Sequence, residues 1–401
     1  MAVLMRILVL NGGSSSFKSS LFDVTGKEGA AAPQPLWEAR VDWEHHPGTA
    51  EIQTKSAGKS ETHSIPVKAP LDSLDPLMEM LPHRDQVQVA GHRVVHGGRA
   101  FRESARITPE VHKGIAEMAS FAPEHNRLEL EAIDCMERIL GAHIPQVAVF
   151  DTAFHANLPP AAYVYPGPYR WFERGIRRFG FHGISHQYTS RRAAAILGSD
   201  PAALRMITCH LGNGCSLAAI RGGVSIDTTM GFTPLEGLMM GTRSGTIDPG
   251  IIIHLVRHRG YRAEELDRVL NKESGLLGVS GSSGDMRTIL EAMAQGDARA
   301  QLAFDIYLHR LCAEIGAMLA SLGGLDALVF TAGVGENSPP VRAAVAERFA
   351  FLGVKLDAAK NSGPAADVDI AASDSAIRVL VVHTQEEWEI ARESHRVVTT
   401  M

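Results

Sequence analysis

The segment Ile7-Leu8-Val9-Leu10-Asn11-Gly12-Gly13-Ser14-Ser15-Ser16-Phe17-Lys18 decides the fold. A short run rich in aliphatic residues enters a turn of Asn, Gly and Ser and leaves it as a second short stretch, the pattern of a strand, a tight turn and a returning strand. The same design recurs in the second half as Met206-Ile207-Thr208-Cys209-His210-Leu211-Gly212-Asn213-Gly214-Cys215-Ser216. One such turn needs no ligand, because Asn-Gly between strands is an ordinary hairpin signal. Two suggest a duplicated fold. Glycines let backbone N–H groups converge on an anion, and the Ser hydroxyls and Lys18 add donors and charge. A phosphate-gripping hairpin in each half is expected to clamp a nucleotide in a cleft between the halves.

Further apolar runs at residues 87–95, 147–150, 327–331 and 377–382 read as strands, and the patterns at 109–119, 128–140, 185–197, 250–258 and 298–322 as helices. Strands alternating with helices argue an α/β fold. The polar, Gly- and Pro-containing stretches 28–35 and 54–63 read as surface loops. At 401 residues the chain is too long for one ordinary core, so two domains are expected.

Composition narrows the function. A hydrophobic fraction of 45%, a charged fraction of 21% and a net charge of -6 are globular and leave no basic footprint for nucleic acid. Cys135, Cys209, Cys215 and Cys312 are scattered without a Cys-x-x-Cys pair, which argues against disulfide staples and structural zinc and fits a reducing, cytoplasmic setting. No window approaches the roughly 18 consecutive apolar residues of a membrane span, and Arg6 interrupts the apolar N-terminus, which reads as a buried strand. Neither a Walker A pattern nor a G-x-G-x-x-G fingerprint occurs, which removes P-loop and dinucleotide readings.

Paired hairpin loops of this kind resemble those of the actin, sugar-kinase and chaperone ATPase superfamily. Five further segments specify more: Gly91-His92-Arg93-Val94-Val95-His96-Gly97-Gly98, Phe150-Asp151-Thr152-Ala153-Phe154-His155, Phe179-Gly180-Phe181-His182-Gly183, Pro234-Leu235-Glu236-Gly237 running on to Gly241-Thr242-Arg243-Ser244-Gly245, and Phe330-Thr331-Ala332-Gly333-Val334-Gly335-Glu336-Asn337. In order and spacing they resemble the acetate kinase family, from residue 6 to about residue 395. The resemblance implies two duplicated actin-like (ribonuclease H-like) α/β domains, residues 1–150 with the C-terminal helix 384–401 returning to them, and residues 151–383. It also implies ATP-dependent phosphorylation of the carboxylate of a short acid, most simply acetate, giving acetyl phosphate and ADP, in a homodimer.

The chemistry suits the residues. A short carboxylic acid is already ionised at neutral pH, so no strong base is required, and phosphoryl transfer becomes a matter of positioning and of neutralising anionic charge. The resemblance assigns that task to Arg93, Arg243 and His182, and guanidinium forks match carboxylate and phosphoryl oxygens in a way lysine does not. It gives Asn11, Asp151 and Glu386 to a Mg²⁺ or Mn²⁺ ion, and hard oxygen donors suit such ions. Asn11, Ser14, Ser16 and Lys18 match the first phosphate loop, and His210, Gly212, Asn213 and Gly214 the second. Asp285, Met286 and Arg287 match a nucleotide-side motif, with Met286 where phenylalanine is usual, and Gly333, Gly335, Glu336 and Asn337 the adenosine loop.

Val95, Phe181 and Pro234 match the family's apolar acyl pocket, and a tight apolar pocket discriminates only weakly over one methylene. The fourth lining position departs from the pattern. Glu124, in Ala122-Pro123-Glu124-His125-Asn126-Arg127, stands where leucine is usual, and a carboxylate there is costly unless paired, for instance with Arg127 in a helix. That keeps propionate, butyrate or a substituted acid open as substrate. A sugar kinase of the same superfamily remains a further alternative, with Asp151 as the base a hydroxyl acceptor requires.

Overall fold

The computed structural model describes residues 4–13, 16–27, 29, 31–43, 48–118, 123–363 and 367–400, with the side chains of residues 70 and 123–127 excepted. Ser14 and the Glu124 side chain therefore lie outside the described residues. The chain divides into two compact units: Met1–Ala156 with Gly183–Tyr188 and Gln385–Met401, and Asn157–His182 with Thr189–Thr384.

In the first unit β1 (Met5–Gly12), β2 (Ser16–Val24), β3 (Trp37–Asp42), β4 (Thr49–Ser56), β5 (Lys59–Pro66), β6 (Val89–Val94), β7 (Ala105–Arg106) and β8 (Gln146–Phe150) form one sheet in the order β5-β4-β3-β2-β1-β6-β8-β7. The pairs β1/β6 and β6/β8 are parallel and the rest antiparallel. In the second unit β9 (Arg205–Leu211), β10 (Cys215–Arg221), β11 (Val224–Thr228), β12 (Ala327–Thr331), β13 (Val368–Asp369) and β14 (Arg378–Val381) run β11-β10-β9-β12-β14-β13. Here β9/β12 and β12/β14 are the parallel pairs. Aligning β1 with β9 makes the order β3-β2-β1-β6-β8-β7 identical to β11-β10-β9-β12-β14-β13, and the first unit adds only β4 and β5. The two Asn-Gly turns thus occupy equivalent places, each between the first two strands of its unit.

Parallel central strands are buried on both faces and read as continuous apolar runs. Accordingly β8 and β12 are buried at every position. On one face of the first sheet Leu8, Leu10, Leu21, Val41 and Ile52 pack with Leu74, Leu77 and Met136. The C-terminal helix Glu386–Thr399 packs against β1, β2 and β6 of the first unit. Its approach depends on Gly91, where a Cβ would lie 2.3 Å from Ser394 Oγ.

Residues 54–63, expected as a loop, belong instead to the β4–β5 hairpin, which turns at Ala57 (φ 48) and Gly58 (φ 78). The reason is that β5 buries none of its residues, so its strand character carries no apolar alternation for sequence reading to detect. None of the four cysteines is in a disulfide. Among the described residues no helix is long and apolar enough to cross a membrane.

Candidate active site

In the first unit, Arg93 lies one residue from the end of β6 and Asp151 one residue past the end of β8, at the C-terminal edge of parallel strands where open α/β sheets place ligand-binding groups. Arg93 Nε and Nη2 donate to Asp151 Oδ2 at 3.0 and 2.6 Å, and Nη1 donates to the Gly12 carbonyl at 3.1 Å. Burial by itself disfavours the guanidinium charge, but Asp151 and then Glu386 outweigh it and hold Arg93 above its ordinary pKa. Asp151 is buried, and its carbonyl accepts from the Gly183 N–H at 2.9 Å. A Cβ at Gly183 would lie 2.1 Å from that oxygen, so only glycine fits.

Asn11, at the end of β1, donates through Nδ2 to Glu386 Oε2 at 3.2 Å and to Glu387 Oε1 at 3.0 Å, at the start of the C-terminal helix. Lys18 Nζ lies 3.7 Å from Glu387, which together with Glu386 raises its pKa against the cost of burial. Asn11, Lys18, Arg93, Asp151 and Glu386 are thus drawn into one electrostatic group of this unit, with Ser16 opening β2 beside it. Asp151 and Glu386 offer hard carboxylate oxygens, both close enough to Arg93 to perturb it, a donor set of the type Mg²⁺ accepts alongside phosphate oxygens and water. Among the described residues no group of three His, Cys, Asp or Glu is clustered as a ligand cage.

In the second unit, His182 caps the helix Gly183–Ile196 in a left-handed conformation (φ 57), strained for a non-glycine residue. Its Nδ1 is 2.9 Å from Ser216 Oγ, and its ring stacks on His210 with centroids 4.1 Å apart. Arg243 Nη1 donates to the Pro234 carbonyl at 3.3 Å. Both reach Gly214: a Cβ there would meet Arg243 Nη1 and His182 Cε1 at 3.4 Å. The turn at Gly214 therefore lies between a guanidinium and an imidazole. Gly241 is also fixed by this turn, its N–H donating to the Asn213 carbonyl at 3.0 Å. Cys215, next in the turn, is pushed up to about 12 by burial and stays a thiol.

The segment expected as the adenosine loop is a short helix, Ala332–Asn337, which lies beside this turn, with Gly212 near Ala332. Gly333 and Asn337 are exposed on it, and Asn337 Nδ2 bonds the Gly333 carbonyl at 2.9 Å. Glu336 turns inward. Its carboxylate accepts from the N–H groups of Ala332 at 2.8 Å and Thr384 at 3.0 Å and meets His383 Nδ1 at 2.5 Å. Burial pushes this carboxyl up, but His383 and the backbone donors more than offset it and hold it below the usual carboxylate range. Asp285 caps the helix Met286–Ala294 and binds Arg287, whose side chain is otherwise exposed. Met286, at the start of that helix, is buried. Val95 and Phe181 are buried, in the first and second unit respectively, and Pro234 is half-buried.

Two charged residues central to the local architecture escaped sequence reading. Arg342 is fully buried and donates to the carbonyls of Gly335 at 2.9 Å and Glu336 at 2.7 Å and to Asn361, bracing the loop from below. Glu129, also buried, binds the Val95 N–H. Each shares a helical stripe with apolar residues three and four positions on: Val345 and Ala346 for Arg342, Ala132 and Ile133 for Glu129. A charge on an apolar stripe was the available signal.

Two sheets of matched order, each opening on a glycine-turned hairpin, define an actin-like ATPase fold. The model of the Acetokinase family matches residues 6–392, and the chain belongs to that family. It is 57% identical over 398 residues to an acetate kinase of Gloeobacter violaceus, covering 97% of this chain and 98% of that protein. It is 56% identical to an acetate kinase of a Cyanothece strain, covering 99% of each. The crystal structure of Porphyromonas gingivalis acetate kinase superposes with a TM-score of 0.89 at 38% identity, over 98% of this chain and 100% of that one. A propionate kinase from Francisella tularensis gives 0.90 at 37% identity over the same shares.

Proposed function

We propose that the protein phosphorylates acetate with ATP, reversibly, giving acetyl phosphate and ADP. The observation that carries this reading is the His182–Gly214–Arg243 arrangement: an imidazole and a guanidinium flanking a bare glycine turn, a seat for phosphoryl oxygens. Arg93 supplies the second guanidinium. In the reaction the acetate carboxylate, already an anion, attacks the γ-phosphorus in line while the bond to the β-phosphate oxygen breaks and ADP leaves. Arg93 and Arg243 hold the acid and the transferring group, and His182 donates a hydrogen bond to phosphoryl oxygens as charge moves across them. Ser216 orients the His182 ring for this. Asp151 holds Arg93 in place.

Asn11, Asp151 and Glu386 are the residues that would hold Mg²⁺ or Mn²⁺, which when bound neutralises charge on the nucleotide phosphates. Lys18, Ser16 and the turn 212–214 bind phosphates, and the short helix Ala332–Asn337 receives the adenosine through its backbone. Val95, Phe181 and Pro234 contact the acetate methyl group. Propionate remains the second substrate to test, since one structural relative is named a propionate kinase. The protein acts in the cytoplasm, in keeping with four cysteines outside any disulfide. It works as a homodimer, and the half-exposed Ile251, Ile253 and Val256 of the second unit suit a covered face. Acyl hydroxamate formation from short acids with MgATP tests the activity, and sedimentation at micromolar concentration tests the dimer.

A further inference from the structure

Val95 follows directly on β6, whose last ladder pairing is Val94 with Phe150. Its N–H is the first beyond the sheet and has no strand partner, although the residue is only 4% exposed. A buried N–H in that position requires an acceptor. The helix Pro123–Leu140 provides one: Glu129 Oε1 and Oε2 each lie 3.1 Å from Val95 N. Glu129 is 6% exposed, on the stripe that carries Ala132, Ile133 and Met136 into the core. A small cavity of about 30 Å³ adjoins it, lined also by Gly12, His92, Arg93 and Leu128.

We propose that Glu129 is a positioning residue for acid selectivity: by holding the Val95 backbone it fixes the wall against which the alkyl group of the acid packs. This rests on the reading of Val95 as part of the acyl pocket. The contact is a specific one. Val95 stands two residues after Arg93, so a displaced Val95 moves the alkyl wall while the Arg93–Asp151 pair remains anchored by its own bonds to Asp151 and Gly12. Burial, only partly opposed by Arg93 and the Val95 N–H, pushes the Glu129 carboxyl up to about 8. The role asks for an acceptor of this length, which glutamine also supplies and alanine does not.

The test compares kcat/KM for acetate, propionate and butyrate in wild type, Glu129→Gln and Glu129→Ala, with the KM for MgATP measured beside them. The expected result is an acetate-to-propionate ratio that changes by about three- to tenfold in the alanine variant, the scale of one methylene in an apolar pocket. The glutamine variant should return the ratio to within roughly twofold of wild type, and the KM for MgATP should stay within the same factor in both. General loosening of the fold would not move acid selectivity while sparing the nucleotide. If the alanine variant does not fold, Glu129→Asp, one methylene too short to reach Val95, carries the same expectation. An unchanged ratio in an alanine or aspartate variant that still turns over, or equal effects of Gln and Ala, overturns the proposal alone. Wild-type protein without acid-dependent turnover overturns the acyl-pocket reading and this proposal with it.

Discussion

Arg93 gives two hydrogens, from Nε and Nη2, to one oxygen of Asp151, while its third arm holds the Gly12 carbonyl. The pair orients a buried cation at the edge of the parallel strands, and the geometry needs a planar fork. Replacing Arg93 by lysine keeps the charge but not the simultaneous reach to Asp151 and Gly12, so kcat/KM should fall by about 10²-fold or more, the scale of losing an aligned transition-state donor. Arg93→Ala should also lower stability by about 3 to 5 kcal/mol, because the buried Asp151 carboxylate loses the guanidinium that offsets its charge. Steady-state kinetics and denaturant melts of both variants check the two effects separately.

Gly214 offers a cleaner separation of chemistry from folding. A Cβ there meets its neighbours at 3.4 to 3.5 Å, ordinary contact, so Gly214→Ala should fold with little loss. The added methyl nevertheless sits between Arg243 and His182, where phosphoryl oxygens are proposed to lie. Turnover should fall by about 10²-fold or more while the melting temperature stays within a few degrees of wild type. Equal activity would show that phosphate does not approach this turn.

His92 predicts a pH dependence of stability. Burial pushes its imidazole down to about 4, although Gln146 Oε1 at 2.6 Å works in the opposite direction. The unfolded chain, with a histidine pKa of about 6.5, therefore takes up this proton before the folded protein does. The stabilisation is complete above that value and is lost as pH falls from about 6.5 to about 4. Arg93 and Glu129 line the same cavity as His92. Melting temperatures across this window should drop more steeply for wild type than for His92→Gln.

Arg342 should matter to the nucleotide without touching it. Its bonds to the Gly335 and Glu336 carbonyls hold the end of the helix Ala332–Asn337, where a cation also suits the helix dipole. Arg342→Met removes these bonds and should cost at least about 2 kcal/mol of stability. It should also raise the KM for MgATP several-fold while the KM for acetate changes little. Equal changes in both constants would point to a global defect.

Much of this was readable from the chain because local signals and the tertiary fold agree. The two Asn-Gly turns sit where the glycine pattern put them, and Arg93 and Asp151 emerge at strand ends as their positions after apolar runs implied. The β4–β5 hairpin was not readable, since a strand exposed on both faces has no periodicity. The roles of Glu129, Glu336 and Arg342 were hidden for another reason: which charged residues turn inward depends on which backbone groups lack partners, and that is settled only when Val95, Ala332 and Gly335 take their places. For Glu129 and Arg342 the helical stripe gave a warning, because each falls in register with buried apolar neighbours.

The most direct test of the central claim is acyl hydroxamate formation by the purified protein with acetate, MgATP and hydroxylamine, run beside Arg243→Ala. Acetate-dependent hydroxamate in wild type, reduced by about 10²-fold or more in the variant, is the predicted result. ATP binding without hydroxamate from acetate or any other short acid, or full activity in Arg243→Ala, would contradict it.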